Sequence, residues 1–164
     1  MLKIKLLILL LISTLLFSCT SNQKIISDKK YSLGYIPGEY DGLIFAQFLK
    51  NSLMDVQALD KNSKFKITGK IKHTDDIFVT NIDNTSDRQR VDSSIEILIE
   101  DLQGKCPTYN YNDQISQFYV FASSEKFVSN QLAEKKIRSQ NTEVLVNNFI
   151  KNVIYKDLYC NGIK

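Results

Sequence analysis

The hydrophobic positions of this chain change period several times, and each change marks an element. Leu6 to Leu16 is almost continuously apolar, broken only by Ser13 and Thr14 and preceded by Lys3 and Lys5. A run this short falls below the about 20 residues that span a bilayer, but it matches the basic start and apolar centre of a secretory signal. Residues 20–30 are polar and carry Lys24, Asp28, Lys29 and Lys30, the composition of a tether. Tyr31 to Ile36 is a short β-prone run stopped by Pro37 and Gly38, which predicts a strand ending in a turn. From Glu39 to about Val56, Phe45, Phe48, Leu49, Leu53 and Val56 recur at steps of three and four, the spacing of an amphipathic helix.

The period then falls to two. Phe65, Ile67, Gly69 and Ile71 alternate with Lys66, Thr68, Lys70 and Lys72, which predicts a half-buried strand, continued through Ile77, Phe78 and Val79 after a kink at His73 to Asp76. A polar stretch from Asn81 to Asp87 reads as a hairpin tip. Val91, Ser93, Ile95, Ile97 and Ile99 then alternate with Asp92, Ser94, Glu96, Leu98 and Glu100, followed by a turn at Gln103 to Lys105. Tyr109, Tyr111, Ile115, Tyr119 and Phe121 make a further strand with an expected irregularity at Asn112 to Gln114, so that three strands form an antiparallel meander. From Ala122 to about Tyr155, Phe127, Val128, Leu132, Ala133, Ile137, Val144, Leu145, Phe149 and Val153 make a helical stripe. Its polar weak point, Arg138 to Thr142, leaves a kink, a break and a solvated turn all open.

The order β-α-β-β-β-α predicts an α+β two-layer sandwich, with two helices covering one face of a four-stranded, mostly antiparallel sheet. The expected organisation is a cleaved signal over residues 1–18, a tether over 19–30 and one folded domain over 31–160.

Composition narrows the chemistry. With 43% apolar and 24% charged residues, the chain of 164 residues is neither collagen-like, coiled-coil nor disordered. The single His73 stands beside Asp75 and Asp76, reads as a surface side chain, and belongs to no metal-binding spacing; no metal ligands are expected. Ser93, Ser94, Ser123 and Ser124 lack the nucleophile elbow, and Glu100 and Asp101 point to opposite faces of a strand, so no catalytic residues are assigned and an enzyme is not expected. Loss of Lys3 and Lys5 with the signal lowers the formal net charge of +3 by two, which with the absence of a Lys/Arg block speaks against nucleic-acid binding.

Leu16, Phe17, Ser18 and Cys19 read L-F-S-C at the end of the apolar run, a sequence that resembles the lipobox of bacterial lipoproteins. That resemblance implies cleavage before Cys19, a covalent lipid on Cys19 in place of any dissociable cofactor, and a membrane anchor of several acyl chains. Thr20 stands where similar lipoproteins retained at the inner membrane carry Asp, so the outer membrane is the expected address. Cys106 and Cys160 then remain as an even pair in an oxidising compartment. Two readings stay open for them: a pair of buried thiols, or a disulfide worth about 4 kcal/mol for a loop of this length.

The whole arrangement resembles the LPS-assembly lipoprotein family LptE. Two stretches carry the likeness beyond topology: D-R-Q-R-V-D-S-S-I-E-I-L-I-E-D-L-Q-G-K from Asp87 to Lys105, and F-A-S-S-E-K-F-V-S-N-Q-L-A-E from Phe121. The resemblance implies a plug inside an outer-membrane β-barrel LPS translocon of the LptD type, a role in assembling that barrel, and a part in delivering LPS to the cell surface. Arg88 and Arg90 at the start of the third strand, with Lys66, Lys70 and Lys72 on its neighbour, are the candidates for pairing with lipid A phosphates. The alternative for these cations is a solvated sheet face. The alternative for the protein is a non-enzymatic envelope scaffold without LPS contact, with a small-molecule-binding lipoprotein as a third reading.

Overall fold

A computed structural model describes residues 29–79, 86–120, 127–157, 159 and 160. The predicted signal, Cys19, nearly all of the tether, the hairpin tip at 81–85 and the start of the last helix at 121–126 lie outside the described residues. The elements are β1 (Ser32–Leu33), α1 (Tyr40–Asp55), β2 (Phe65–Val79), β3 (Ser86–Asp101), β4 (Tyr109–Val120), α2 (Phe127–Phe149) and a π-helical turn at Ile150–Ile154. The strands form one sheet in the order β1-β2-β3-β4. The pairs β2–β3 and β3–β4 are antiparallel, whereas β1 pairs in parallel with β2. That parallel pair follows from α1, which crosses the sheet face between the two strands.

Period two sends Phe65, Ile67, Ile95, Ile97 and Ile99 inward, where they meet Phe45, Leu49 and Leu53 of α1 and Leu145, Val146 and Phe149 of α2. The predicted two-layer α+β sandwich is therefore the observed one. Close packing of α1 requires Gly42, since a Cβ there would sit 2.4 Å from the carbonyl oxygen of Pro37.

Four expectations are corrected. β2 has no kink at His73 to Asp76, because its register against β3 runs unbroken from Phe65 to Phe78 and shifts only at Phe78/Val79. The two acidic residues there have partners: Asp75 reaches inward to Arg138, Asp76 outward to Arg90. β4 has no irregularity at Asn112 to Gln114, since the pairing with β3 is continuous from Tyr109 to Val120. Asp113 holds its place in the pleat by accepting hydrogen bonds from the Tyr111 hydroxyl at 3.2 Å and Asn148 Nδ2 at 2.9 Å.

α2 runs unbroken through Arg138 to Thr142, and the change of helical pitch comes later, at Ile150–Ile154. The polar residues are polar because of what they face: Asn141 is fully buried and donates to Ser93 Oγ at 2.8 Å. The apolar stripe also misassigns the first half of this helix, where Val128 and Leu132 are 67% and 62% exposed. The inward side there is built from Asn130, Glu134, Arg138 and Asn141, so apolar spacing alone selects the opposite face. No helix among the described residues is long and apolar enough to cross a membrane.

Candidate functional site

Even-numbered residues of β2, β3 and β4 point away from the helices. They form a broad outer face of Lys66, Lys70 and Lys72 on β2, Arg88, Arg90, Asp92, Ser94 and Glu96 on β3, and Asn112, Gln114 and Ser116 on β4. All five cations singled out in the sequence thus share one face, but they do not form one cluster. Lys66 faces Glu100 near one end and Arg88 faces Phe78 at the other, about 40 Å away at about 3.3 Å per residue.

Two shallow grooves cross the middle of this face. One of about 670 Å³ runs over Lys70, Lys72, Ser94, Glu96, Asn112 and Gln114. The other, of about 370 Å³, runs over Lys72, Thr74, Arg90, Asp92, Gln114 and Ser116. Lys72 lines both, and Lys66 and Arg88 line neither. Ser94, Asn112, Gln114 and Ser116 were not among the candidate site residues read from the sequence; their signal was the same period of two that marked the lysines.

Charge on this face is largely compensated. Lys70 Nζ lies 2.6 Å from Glu96 Oε2, and this hydrogen bond holds the Glu96 carboxyl below the usual carboxylate range. Arg90 Nη2 lies 2.8 Å from Asp76 Oδ2 and its Nε 3.0 Å from Asp92 Oδ2. The hydrogen bond it donates to Asp76 and then the charge of Asp92 keep that guanidinium still more firmly protonated. Lys72 sits across from Ser94 and makes no ion pair among the described residues. It is the cation of this face best placed to meet an external anion.

The inner face carries a second polar group. Arg138 gathers Asp75 of β2, Glu134 Oε1 at 2.6 Å and Asp41 Oδ2 of α1 at 3.4 Å. Burial first, and then the charge of Asp75, push the Glu134 carboxyl above the ordinary carboxylate range. His73 is part of this group rather than a surface side chain, which corrects the sequence reading: it is largely enclosed, with Nδ1 2.8 Å from Ser93 Oγ. The sequence signal for it was its odd number, which places it on the same side as Ile71 and Asp75.

Burial holds the His73 imidazole below 6.5 against the opposing pull of Asp41 and Asp75. The folded state therefore favours the neutral ring, and the unfolded chain takes up a proton first as pH falls. Stability conferred by this group is complete above about 6.5 and declines through the interval down to the lowered folded value. The single His resonance should titrate below 6.5 by NMR, and His73→Gln should flatten the loss of stability between pH 7 and 5.5. A resonance titrating at or above 6.5 would refute the assignment. Among the described residues no group of three or more His, Cys, Asp or Glu side chains is placed to hold a metal ion. Cys106 and Cys160 are joined by a disulfide with Cα atoms 5.6 Å apart.

No protein-family model matches the chain, and no curated protein matches it either. Solved structures do. A minor lipoprotein from Acinetobacter baumannii is similar over 82% of this chain and 96% of its own, at 19% identity and a TM-score of 0.58. Rare lipoprotein B from Shewanella oneidensis is similar over 78% and 97%, at 10% identity and a TM-score of 0.53. An uncharacterized lipoprotein B from Nitrosomonas europaea is similar over 83% and 89%, at 9% identity and a TM-score of 0.64. At these identities the likeness is one of fold: the β-α-β-β-β-α sandwich described above is a fold that lipoproteins use.

Proposed function

We propose that the chain is an outer-membrane lipoprotein, anchored through acyl chains on Cys19, that serves as plug and assembly partner of a β-barrel LPS translocon of the LptD type. The observation that carries this reading is the coincidence of two independent signals. An apolar leader ends in L-F-S-C at Cys19, and the folded domain behind it has the same architecture as three solved lipoproteins. The resemblance to the LptE family supports the finer role, as does the outer face, whose hydroxyl and amide side chains suit a polar barrel lumen.

Within this reading Lys72 is the contact for a lipid A phosphate, with Ser94, Gln114 and Ser116 around it as hydrogen-bonding neighbours. Lys66, Lys70, Arg88 and Arg90 contribute to the field of the face. The compensation of Lys70 and Arg90 by carboxylates favours a second reading, an envelope scaffold without LPS contact.

Affinity purification of the full-length protein from outer membranes in mild detergent separates the two. A single large β-barrel recovered at equal amount supports the plug; recovery of the lipidated protein without a barrel overturns it and leaves the scaffold. Lys72→Glu should reduce capture of LPS by the purified protein and Lys66→Glu should reduce it less. Equal binding by Lys72→Glu and the unaltered protein would remove Lys72 from the site. Cys19→Ala should abolish labelling by a palmitate analogue and leave an uncleaved precursor, and a normally processed, membrane-bound Ala variant would refute the anchor.

A further inference from the structure

The C-terminal segment after the π-helical turn is a hook. Asp157 and Cys160 both take left-handed backbone, with φ of 49° and 62°, a conformation that non-glycine residues keep only where their surroundings impose it. Between them Tyr159 is buried at 1% exposure, its ring edge-on to Phe65 at 5.3 Å and to Tyr109 at 6.4 Å. The Cys106–Cys160 disulfide ties the tip of the hook to the turn between β3 and β4.

The hook in turn grips the first described residue of the chain. Lys29 Nζ donates to the Tyr159 carbonyl oxygen at 2.5 Å and lies 2.7 Å from Asp157 Oδ1, with its side chain only 20% exposed. Lys29 marks the place where the preceding segment joins the domain. The next residues are fastened differently, to the α1–β2 connection: Tyr31 N–H donates to the Ala58 carbonyl at 2.7 Å and Asp60 N–H to the Tyr31 carbonyl at 2.9 Å.

We propose that the Cys106–Cys160 disulfide is a redox latch on the root of the N-terminal segment, closed when oxidised and opened by a dithiol reductant without loss of the sheet. One thiolate of the dithiol attacks Sγ of either cysteine and displaces the other as thiolate. The second thiol of the reductant then resolves the mixed disulfide. Two electrons pass to the protein, which gains two thiols, while the reductant leaves as its own disulfide. Both cysteines are only partly buried and so within its reach. Opening removes the covalent restraint on the hook, and with it the carbonyl and carboxylate that hold Lys29. Lys29 is then released from the hook, while Lys30 keeps the hydrogen bond that its carbonyl accepts from Ser63 Oγ, and Tyr31 and β1 stay paired. In a chain fixed by its N-terminal end, this latch sets where the tether leaves the domain, at Lys29 when closed and at Lys30 when open.

Limited trypsin digestion of the full-length protein, oxidised and after treatment with dithiothreitol, tests this at Lys29. Reduction should speed cleavage after Lys29 about tenfold or more, because local opening governs access. Lys66, Lys70 and Lys72 within β2 should remain uncut in both states. Unchanged cleavage at Lys29 on reduction overturns the latch. So does cleavage that spreads to the β2 lysines, since the disulfide would then only hold the fold together. Asp157→Asn with the disulfide intact should give part of the same acceleration; a chain cut no faster would overturn the contact at Lys29 as the means of closure.

Discussion

Replacement of both Cys106 and Cys160 by serine should lower the free energy of unfolding by about 4 kcal/mol, the chain-entropy value for a loop of this size. The two residues are 54 positions apart, and the loop they close contains β4 and all of α2. The unfolded chain gains freedom that the native state does not use, so the effect falls on the denaturant midpoint. Urea melts of the double variant and the oxidised protein measure it, and a difference under about 1 kcal/mol would show that the reduced native state compensates.

Arg138→Met should cost about 2–3 kcal/mol at neutral pH. Breaking a fully buried ion pair by removing one partner costs about 3–5 kcal/mol, and Arg138 with its 26% exposure falls just below that range. Three carboxylates, Asp41, Asp75 and Glu134, are left facing one another without a cation. The pH dependence has a definite sign. Glu134 already stands above the ordinary carboxylate range in the folded protein, and loss of the guanidinium raises it further. A carboxyl raised on folding is destabilising once ionised, so the deficit grows as pH climbs above about 4.5 and shrinks on acidification. His73 acts in the same direction, since Arg138 is among the charges that lower it. Denaturant melts at pH 7 and pH 5 should therefore show a smaller deficit at pH 5; equal deficits would mean that the guanidinium is held mainly by packing.

The outer face and the inner group differ in how readily the sequence discloses them. On the outer face, period two is enough, because Lys66, Lys70, Lys72, Arg88 and Arg90 must all emerge on one side once β2 and β3 pair. What the alternation does not contain is who stands beside whom. Register pairs Lys70 with Glu96 and Asp76 with Arg90, which leaves Lys72 rather than Arg88 or Arg90 as the exposed cation at the centre of the grooves. The inner group was hidden for the opposite reason: Arg138, Asn141 and Thr142 look like a place for a helix to fail, and they are polar because Asp75, Ser93 and Glu134 await them in the packed state.

The order of elements, the face of α1 that turns inward and the alternation of β3 follow from the sequence by itself, because each rests on neighbours a few residues apart. The parallel placement of β1, the unbroken length of β2 and β4, the inward face of α2 and the closure of Cys106 on Cys160 were decided only by the tertiary structure. Each depends on a partner far along the chain whose position local periodicity does not carry: Lys66 for Ser32, Arg138 for Asp75, Asn148 for Asp113.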